Sequence, residues 1–268
     1  MTVCADSKPR SHIDPRVPTI ARVYDYWLGG KDNFAVDREL AEQFLQADPM
    51  VIAGVRSNRA FLQRAVRFLA GETGIRQFLD IGTGIPTANN THEVAQSVDP
   101  GCRVVYVDND PMVLAHARAL LTSVSAPTAY IDGDARDTAR ILAEAARILD
   151  FGQPVAVMLI GLLHCIADAD DPARIVSELV RAVPPGSYLA ISHPASDIHA
   201  GPMAEGAAAM NKSLTAPVTF RRFGDVVSFF DGLELAEPGV VATTQWRPDP
   251  GADTTPLPGW VGVARKPV

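Results

Sequence analysis

The stretch Gln77–Asn90, QFLDIGTGIPTANN, decides the fold that we predict for this chain. It begins as an apolar strand, turns through Gly82 and Gly84, and leads into a predicted helix at 87–98. Glycine permits a tight turn and lets a ligand approach the backbone closely. A helix start behind such a turn presents free N–H groups. Strand, glycine turn and helix together predict a nucleotide-type binding crevice.

The next two predicted strands also end in acidic residues. RVVYVD ends at Asp108, and AYIDGDARD runs into Asp132 and Asp134. A carboxylate at the end of the second strand suits a ribose, because it can accept hydrogen bonds from both hydroxyls of the diol. Three strand ends that carry acids in chain order are stronger evidence for such a crevice than one glycine pair.

Apolar strands and helices alternate along the central part of the chain. The predicted strands are 76–81, 103–108, 127–131, 154–160 and 186–192, and the chain closes with strands at 239–246 and 259–266. Such alternation predicts a mostly parallel sheet with helices on both faces. The strands are continuous apolar runs, as expected where both faces of a sheet are covered.

The composition narrows the class of protein. The chain has 268 residues, a net charge of −7 and 47% hydrophobic residues, which is typical of a folded α/β protein. An acidic total disfavours a nucleic-acid partner. Three scattered cysteines predict a reducing compartment, no disulfide framework and no metal site. The N-terminus has no apolar signal-type core and no run is long enough to span a membrane, so we predict a cytoplasmic protein.

Four runs in this order resemble the motif series of class I S-adenosylmethionine-dependent methyltransferases: FLDIGTG, VVYVDNDPMVLAHAR, YIDGDARD and VAVMLIGLLHCIAD. The N-terminal run IARVYDYWLGGKDNFAVDRELAEQF is more particular, and resembles a bacterial S-adenosyl methyltransferase family long described as a domain of unknown function. The resemblance covers residues 20–264. Pro86 is a departure, since many class I enzymes have a third glycine there and proline has no N–H.

The resemblance implies a Rossmann-like class I methyltransferase fold, with a mostly parallel seven-stranded sheet, helices on both faces and an N-terminal helical cap. We place a flexible tail at 1–17, the cap at 18–74 and the Rossmann-like domain at 75–268. In such enzymes an extension of this kind lies over the cofactor pocket. The aromatic run at 24–27 has two interpretations that stay open: it anchors the cap to the core, or it acts directly in the pocket.

The resemblance also implies S-adenosyl-L-methionine as the cofactor. The residues that it assigns to cofactor binding are Asp80, Gly82, Thr83, Gly84, Asp108, Asn109, Asp134, Ala135, Ile160 and Gly161. In this assignment Asp80 lies near the methionine amino group, Asp108 binds the ribose hydroxyls, and Asn109 and Asp134 contact the adenine. The glycine turn lies under the methionine and ribose, and the end of the fourth strand borders the methionine.

Several of these assignments have alternatives. Asp108 and Asp134 could instead cap the helices that follow them, and Asp132 competes with Asp134 for the adenine. Arg56 and Asn58, in the helix before the first strand, could bind the cofactor carboxylate, since an arginine and a carboxylate pair well. The alternative for Arg56 is a solvated position on the helix surface.

The best candidate for a catalytic residue is His164, which follows the fourth strand at the edge where such sheets bind ligands. A histidine there could accept a proton from an oxygen or nitrogen acceptor at neutral pH. The alternative is a histidine that only packs or bonds to a carbonyl group. His193 is a second candidate, and Tyr24 and Tyr26 could position an acceptor from the cap.

We therefore predict S-adenosylmethionine-dependent methyl transfer to an oxygen or nitrogen of a small molecule. One alternative is a cofactor-binding regulatory module that keeps the fold and transfers nothing. Another is a nicotinamide-dependent oxidoreductase, although G-T-G-I-P-T lacks the last glycine of the dinucleotide fingerprint. The oligomeric state is not fixed by the sequence, with a homodimer as one option.

Overall fold

The computed structural model describes residues 13–120 and 128–268, with the side chains of 117–120 left aside. The first twelve residues of the predicted tail, including Cys4, lie outside this part. So do the last residue of the predicted helix at 111–121 and the first residue of the predicted strand at 127–131.

The protein is built on one twisted sheet. Its strands are β1 (Gln77–Ile81), β2 (Arg103–Asp108), β3 (Thr128–Asp132), β4 (Ala156–Ile160), β5 (Tyr188–Pro194), β6 (Glu234–Leu235), β7 (Val241–Ala242) and β8 (Gly259–Arg265). The order is β3-β2-β1-β4-β5-β8-β6, and β7 also pairs with β8. The first five strands are parallel, and β8 runs antiparallel to β5. The order reverses between β1 and β4, which is where a ligand crevice is expected in such sheets.

The predicted α/β fold is confirmed, with one difference in strand number. The described residues form eight strands, whereas the sequence predicts seven. The predicted strand at 239–246 is reduced to two residues, and the extra strand β6 is equally short. Both pair with β8, which is long enough to accept two short partners at different positions.

Helices cover both faces of the sheet. They are α1 (Ile20–Trp27), α2 (Ala35–Ala47), α3 (Val51–Arg67), α4 (Thr91–Val98), α5 (Pro111–Leu120), α6 (Thr138–Ala145), α7 (Pro172–Ala182), α8 (Ala200–Ser213) and α9 (Phe223–Ser228). One apolar cluster joins the sheet to α6, α7 and α9, and a second joins the other face to α3 and α4. Trp246 is fully buried in the second cluster, edge-on to Phe61 and Phe68.

A third apolar cluster forms the cap, which lies over the carboxyl ends of the strands. It joins α1, α2 and the start of α3 to α8, so the cap takes one of its helices from the last third of the chain. A buried ion pair, Arg22 Nε to Asp37 Oδ2 at 2.8 Å, ties α1 to α2. The loop after α1 also reaches α5, where Asp32 Oδ2 lies 3.3 Å from His116 Nε2.

The run DYWLGGKDN after the start of α1 has a structural role in this cap. The buried carboxylate of Asp25 accepts hydrogen bonds from the Asp32 N–H at 2.9 Å and the Asn33 amide at 2.8 Å. A Cβ atom on Gly30 would lie 1.9 Å from Asp25 Oδ1, so glycine is needed there. The indole N–H of Trp27 donates to the Ala41 carbonyl at 3.2 Å. These contacts support the anchoring interpretation for Asp25 and Trp27.

We expect Gly206→Ala to loosen the cap. A Cβ atom at this position of α8 would lie 2.5 Å from Phe44 Cε2, inside the cap cluster. Overpacking of this kind costs about 1–3 kcal/mol of the free energy of unfolding. Gly201→Ala on the same helix is the control: nothing lies within 4 Å of its Cβ, and alanine raises helix stability by up to about 1 kcal/mol. Urea denaturation measures both, and equal effects would contradict the packing argument.

Candidate functional site

A cavity of about 450 Å³ opens beneath the cap at the carboxyl ends of β1 to β4. Cavities that hold small molecules and cofactors span about 300–1,000 Å³. The predicted site residues that line it are Tyr24, Asn58, Asp80, Gly82, Thr83, Gly84, Asp108, Asn109, Asp134, Ala135, Ile160, Gly161 and His164. The structure does not bring Arg56 or Asp132 to this cavity, since both are exposed elsewhere.

The glycine turn after β1 forms the floor of the cavity. Gly82 and Gly84 have φ angles of +77° and +69°, which side chains other than glycine rarely adopt. A Cβ atom on Gly82 would also lie 2.6 Å from the Leu162 side chain. Pro86 is not among the lining residues, although its neighbours Ile85 and Thr87 are. Proline in place of the third glycine therefore does not obstruct the cavity.

Asp108 joins the glycine turn to the end of β2. Its Oδ2 accepts the Gly84 N–H at 2.8 Å, and its Oδ1 accepts the Asp110 N–H at 2.9 Å. Burial raises the pKa of this carboxyl, and the backbone hydrogen bonds oppose that rise. An ionised carboxylate offers about four lone-pair sites, so these backbone hydrogen bonds leave capacity for a ligand hydroxyl.

Asp80 is a second buried acid in the cavity wall. Its Oδ2 accepts the Thr91 hydroxyl at 2.6 Å, which ties the end of β1 to the start of α4. Burial raises the pKa of Asp80 to about 6, opposed by the Thr91 hydrogen bond and by the charge of Arg59. A cationic group bound beside this carboxyl would lower its pKa again.

Arg59 is a site residue that the sequence prediction missed. It lines the cavity, and its guanidinium donates to the carbonyl groups of Ala88 and Asn89 at 3.2 and 3.3 Å. Asn58, Arg59 and Leu62 all line the cavity from one face of α3. Asn58 and Arg59 lie four and three residues before Leu62, so the helical period places them on its face, whereas Arg56 is exposed to solvent.

The ends of β2 and β3 bring two further predicted residues together. The Asn109 amide donates to Asp134 Oδ2 at 3.4 Å, and the Gly133 N–H donates to the Asp108 carbonyl at 3.1 Å. Arg136 holds Asp134 from the other side, with 3.1 Å between Nη1 and Oδ1. Asn109 and Asp134 thus form one polar wall of the cavity.

A smaller cavity of about 110 Å³, which we call the inner chamber, lies between the cap and the ends of β4, β5 and β8. Five residues line both cavities and mark where they meet: Ile20, Tyr24, Asn58, Gly161 and His164. The Tyr24 hydroxyl donates to the Val55 carbonyl at 3.1 Å and accepts from the Asn58 amide at 2.9 Å. Tyr24 therefore lies at the junction, with its hydroxyl held by α3.

His164 faces both cavities from a short 3-10 turn after β4. Its Nε2 lies 3.5 Å from Cys165 Sγ, and its Nδ1 has no hydrogen-bond partner among the described residues. Burial and the charge of Arg221 lower the pKa of His164 to about 4. The imidazole is therefore neutral at neutral pH, with one ring nitrogen free for a ligand.

The other two candidates with aromatic rings, His193 and Tyr26, already have hydrogen-bond partners for their polar side-chain atoms. His193 Nε2 accepts from Arg221 at 3.0 Å, and its Nδ1 bonds to the Pro194 carbonyl at 2.9 Å. Burial lowers the pKa of His193 to about 3. The Tyr26 hydroxyl bonds to Glu42 at 2.5 Å on the outer side of the cap, away from both cavities.

Arg221 is a second residue that the sequence prediction missed. It is buried, and its guanidinium donates to the carbonyl groups of Leu163 and Ile166 at 2.7 and 3.0 Å. It also pairs with Asp168 at 2.6 Å. Arg221 thereby fixes the turn that carries His164 against the end of β5. The run FRRFGD gives no local signal for this role, because every partner of Arg221 named above is distant in sequence, from His193 to Leu163.

Two negative findings apply to the described part of the chain. It contains no group of three or more His, Cys, Asp or Glu side chains placed to hold a metal ion. None of its helices combines the length and the apolar character that crossing a membrane requires.

The sheet order, the glycine turn and the acids at the ends of β1, β2 and β3 define a class I S-adenosylmethionine-dependent methyltransferase fold. The residues present fit that cofactor. Asp108 keeps free lone pairs for a diol, and Asp80 is a buried carboxyl suited to an ammonium group.

Comparison with known proteins agrees with this geometry. A family model described as S-adenosyl methyltransferase matches residues 6–267, so the chain belongs to that family. It is 42% identical to a DUF574-family protein from Streptomyces avermitilis, with a TM-score of 0.91 over 96% of this chain and 100% of that one. It is 44% identical to a putative methyltransferase from Thermobifida fusca, with a TM-score of 0.88 over 94% and 96% of the two chains.

A more distant relative is carboxy-S-adenosyl-L-methionine synthase from Klebsiella pneumoniae. It is 26% identical over 175 residues, which is 63% of this chain. The match spans 64% of the relative's own length, just under two thirds.

Family membership makes this chain an S-adenosylmethionine-dependent methyltransferase with S-adenosyl-L-methionine as its cofactor. When bound, that cofactor supplies an electrophilic methyl group on a sulfonium.

We expect Asp80→Asn to change how stability depends on pH. The folded-state pKa of about 6 exceeds the unfolded value of about 3.9, so the wild type loses stability as pH rises between these values and levels off above them. The asparagine variant has no ionisable group at this position and therefore lacks this pH-dependent loss of stability. Its stability relative to wild type should improve by about 2 kcal/mol between pH 4.5 and 7.5.

Urea denaturation at both pH values tests this, with the exposed Asp231→Asn as the control. A difference between Asp80→Asn and wild type that stays the same at both pH values would contradict the buried-carboxyl argument.

Proposed function

We propose that this methyltransferase transfers its methyl group to an oxygen or nitrogen of a small molecule bound in the inner chamber. The observation that carries the proposal is the junction of the two cavities at Tyr24, Asn58, Gly161 and His164. A cofactor in the larger cavity and an acceptor in the chamber would meet there. Positioning two reactants in this way can supply about 7–11 kcal/mol toward the barrier.

We propose the following cofactor contacts, which the lining of the larger cavity supports. Asp108 binds the ribose hydroxyls, and Asn109 and Asp134 lie against the adenine. Asp80 receives the methionine amino group, and the glycine turn runs beneath the methionine. We assign the carboxylate to Arg59 rather than to Arg56, and its position in the cavity wall beside Asp80 supports this assignment.

The chain's own residues would act on the acceptor in three ways. The cap covers the junction and excludes water from it. Tyr24 and Asn58, joined by their 2.9 Å hydrogen bond, form the wall against which the acceptor is positioned. His164 is neutral and has a free Nδ1, so it can take a proton from the acceptor.

The alternative of a non-catalytic cofactor-binding module is not favoured by the family match. A cytoplasmic location, a homodimer and the absence of a nucleic-acid partner remain predictions from the sequence. The division into a cap at 18–74 and a domain at 75–268 is likewise a proposal, to which the packing of α8 on α2 adds a third segment.

Calorimetric titration tests the proposal first. Purified protein is titrated with S-adenosylmethionine, S-adenosylhomocysteine and, separately, NAD. We expect saturable binding of the first two and none of NAD, followed by formation of S-adenosylhomocysteine with members of a small-molecule acceptor panel. Binding of NAD alone would overturn the proposal, and so would cofactor binding without turnover on any acceptor in a broad panel.

We expect Asp108→Asn to weaken S-adenosylhomocysteine binding by roughly 10- to 100-fold, because hydrogen bonds to a charged group contribute about 1.5–3 kcal/mol. The amide has one acceptor oxygen where the carboxylate has two, so it cannot accept from both the Gly84 and the Asp110 N–H groups as the carboxylate does. Thermal unfolding is therefore measured alongside. Asp132→Asn, at the end of the neighbouring strand and exposed, is the matched control and should bind like wild type. Equal affinities for the two variants would remove Asp108 from the ribose role.

A further inference from the structure

The inner chamber has an uncharged lining. Among the described residues, no Asp, Glu, Lys or Arg contributes to it, and burial keeps His164 and His193 neutral at neutral pH. Most of the wall is apolar or aromatic, with Trp27, Phe44 and Phe220 from the cap side. A charged group in this space would be buried without a partner, which is strongly unfavourable. The part of the acceptor that enters the chamber is therefore uncharged.

The same lining holds an unusual concentration of unpaired polar atoms. Within the described chain, seven buried side-chain nitrogen or oxygen atoms have no hydrogen-bond partner. Four of these seven belong to residues that line the chamber: Asn58 Oδ1, His164 Nδ1, Ser192 Oγ and Thr243 Oγ1. Unpaired buried polar atoms are rare in folded proteins. Their gathering around one cavity points to a ligand group that both donates and accepts hydrogen bonds.

The size of the chamber limits what can fill it. Its volume is about 110 Å³, and an engineered protein cavity of about 150 Å³ binds benzene. A single six-membered ring fits if part of it projects into the junction with the larger cavity. A fused ring system exceeds the volume of the chamber by more, and most of its second ring would have to lie in the larger cavity. The aromatic walls suit a flat ring, since ring pairs in edge or offset contact are favourable.

The chemistry of the ligand's polar group follows from the lining. An alkyl amine is protonated at neutral pH and would find no carboxylate here. A hydroxyl is neutral, donates once and accepts twice. A phenolic hydroxyl, with a pKa of about 10, gives up its proton to a neutral imidazole more readily than an alkyl alcohol does.

From these observations we propose that the acceptor is a monocyclic phenol, whose ring fills the inner chamber and whose hydroxyl is bound by His164, Ser192 and Thr243. This inference rests on the proposed function and names the substrate class of the same site. In the transfer, an O–C bond forms between the phenolic oxygen and the methyl carbon as the C–S bond breaks. The electron pair of that bond stays on sulfur, giving S-adenosylhomocysteine, and the hydroxyl proton goes to His164 Nδ1. The products are an aryl methyl ether and the protonated imidazole, which then loses its proton to water.

Binding to the full-length protein saturated with S-adenosylhomocysteine tests the ligand class. The probes are phenol, toluene, benzoate and 2-naphthol, titrated by calorimetry. We expect phenol to bind at least about tenfold more tightly than toluene, which lacks the hydroxyl. Benzoate and 2-naphthol should bind more weakly than phenol, because one is charged and the other is too large. Benzoate or 2-naphthol binding as tightly as phenol, or no difference between phenol and toluene, would overturn the inference.

A pair of variants tests the place of binding. Thr243→Val replaces an unpaired buried hydroxyl of the chamber by a methyl group of the same shape, so its thermal midpoint should stay at or above that of wild type. Its affinity for phenol should fall about five- to tenfold, while its affinity for S-adenosylhomocysteine stays unchanged. Thr128→Val makes the same change at another unpaired threonine hydroxyl, on β3 at the far edge of the sheet. It should leave both affinities unchanged.

The two hypotheses fail in different ways. A wild-type protein that does not bind S-adenosylhomocysteine overturns the proposed function. A protein that binds it and shows the same phenol affinity in Thr243→Val, Thr128→Val and wild type overturns only the assignment of the chamber. Mass spectrometry of the product adds a direct readout, since turnover with phenol should yield methoxybenzene.

Discussion

The hydrogen bond from the Gly84 N–H to the Asp108 carboxylate is the contact on which the site depends. It joins the glycine turn after β1 to the end of β2, and the other oxygen of the same carboxylate holds the start of α5 through Asp110. Two adjacent strand ends and one helix start are thereby fixed around a single buried acid. Its burial raises its pKa, and the N–H groups around it favour the charged form. A rigid carboxylate that still has free hydrogen-bond acceptor sites is suited to binding a diol.

The cap completes the site by packing rather than by charge. Helices α1, α2 and α8 share one apolar cluster, and that cluster also forms the walls of the inner chamber. The same side chains therefore stabilise the cap and shape the inner chamber. Four polar atoms of its lining residues, among them Nδ1 of His164, have no hydrogen-bond partner in the described chain.

Much of this arrangement could be predicted from local patterns. Continuous apolar runs that alternate with helices predicted the strands, and the acids at the ends of β1, β2 and β3 indicated the crevice, because parallel strands place their carboxyl ends at one edge. Arg56 was selected where Arg59 lines the cavity, since the prediction did not ask which residues share a face of α3 with Leu62. Arg221 gave no local signal, because its partners Leu163 and His193 are distant in sequence.

The sequence by itself determined a mostly parallel sheet and the acids at its strand ends, because apolar runs and glycine turns are local properties of the chain. Only the tertiary structure decided the inner chamber. Its walls come from α1, α3, α8, β5 and the segment around Thr243, which meet only when the chain is folded. Whether a polar atom in such a place is paired or free depends on neighbours that no local pattern specifies. The balance of apolar surface and free hydrogen-bonding atoms is therefore a property of the packed fold.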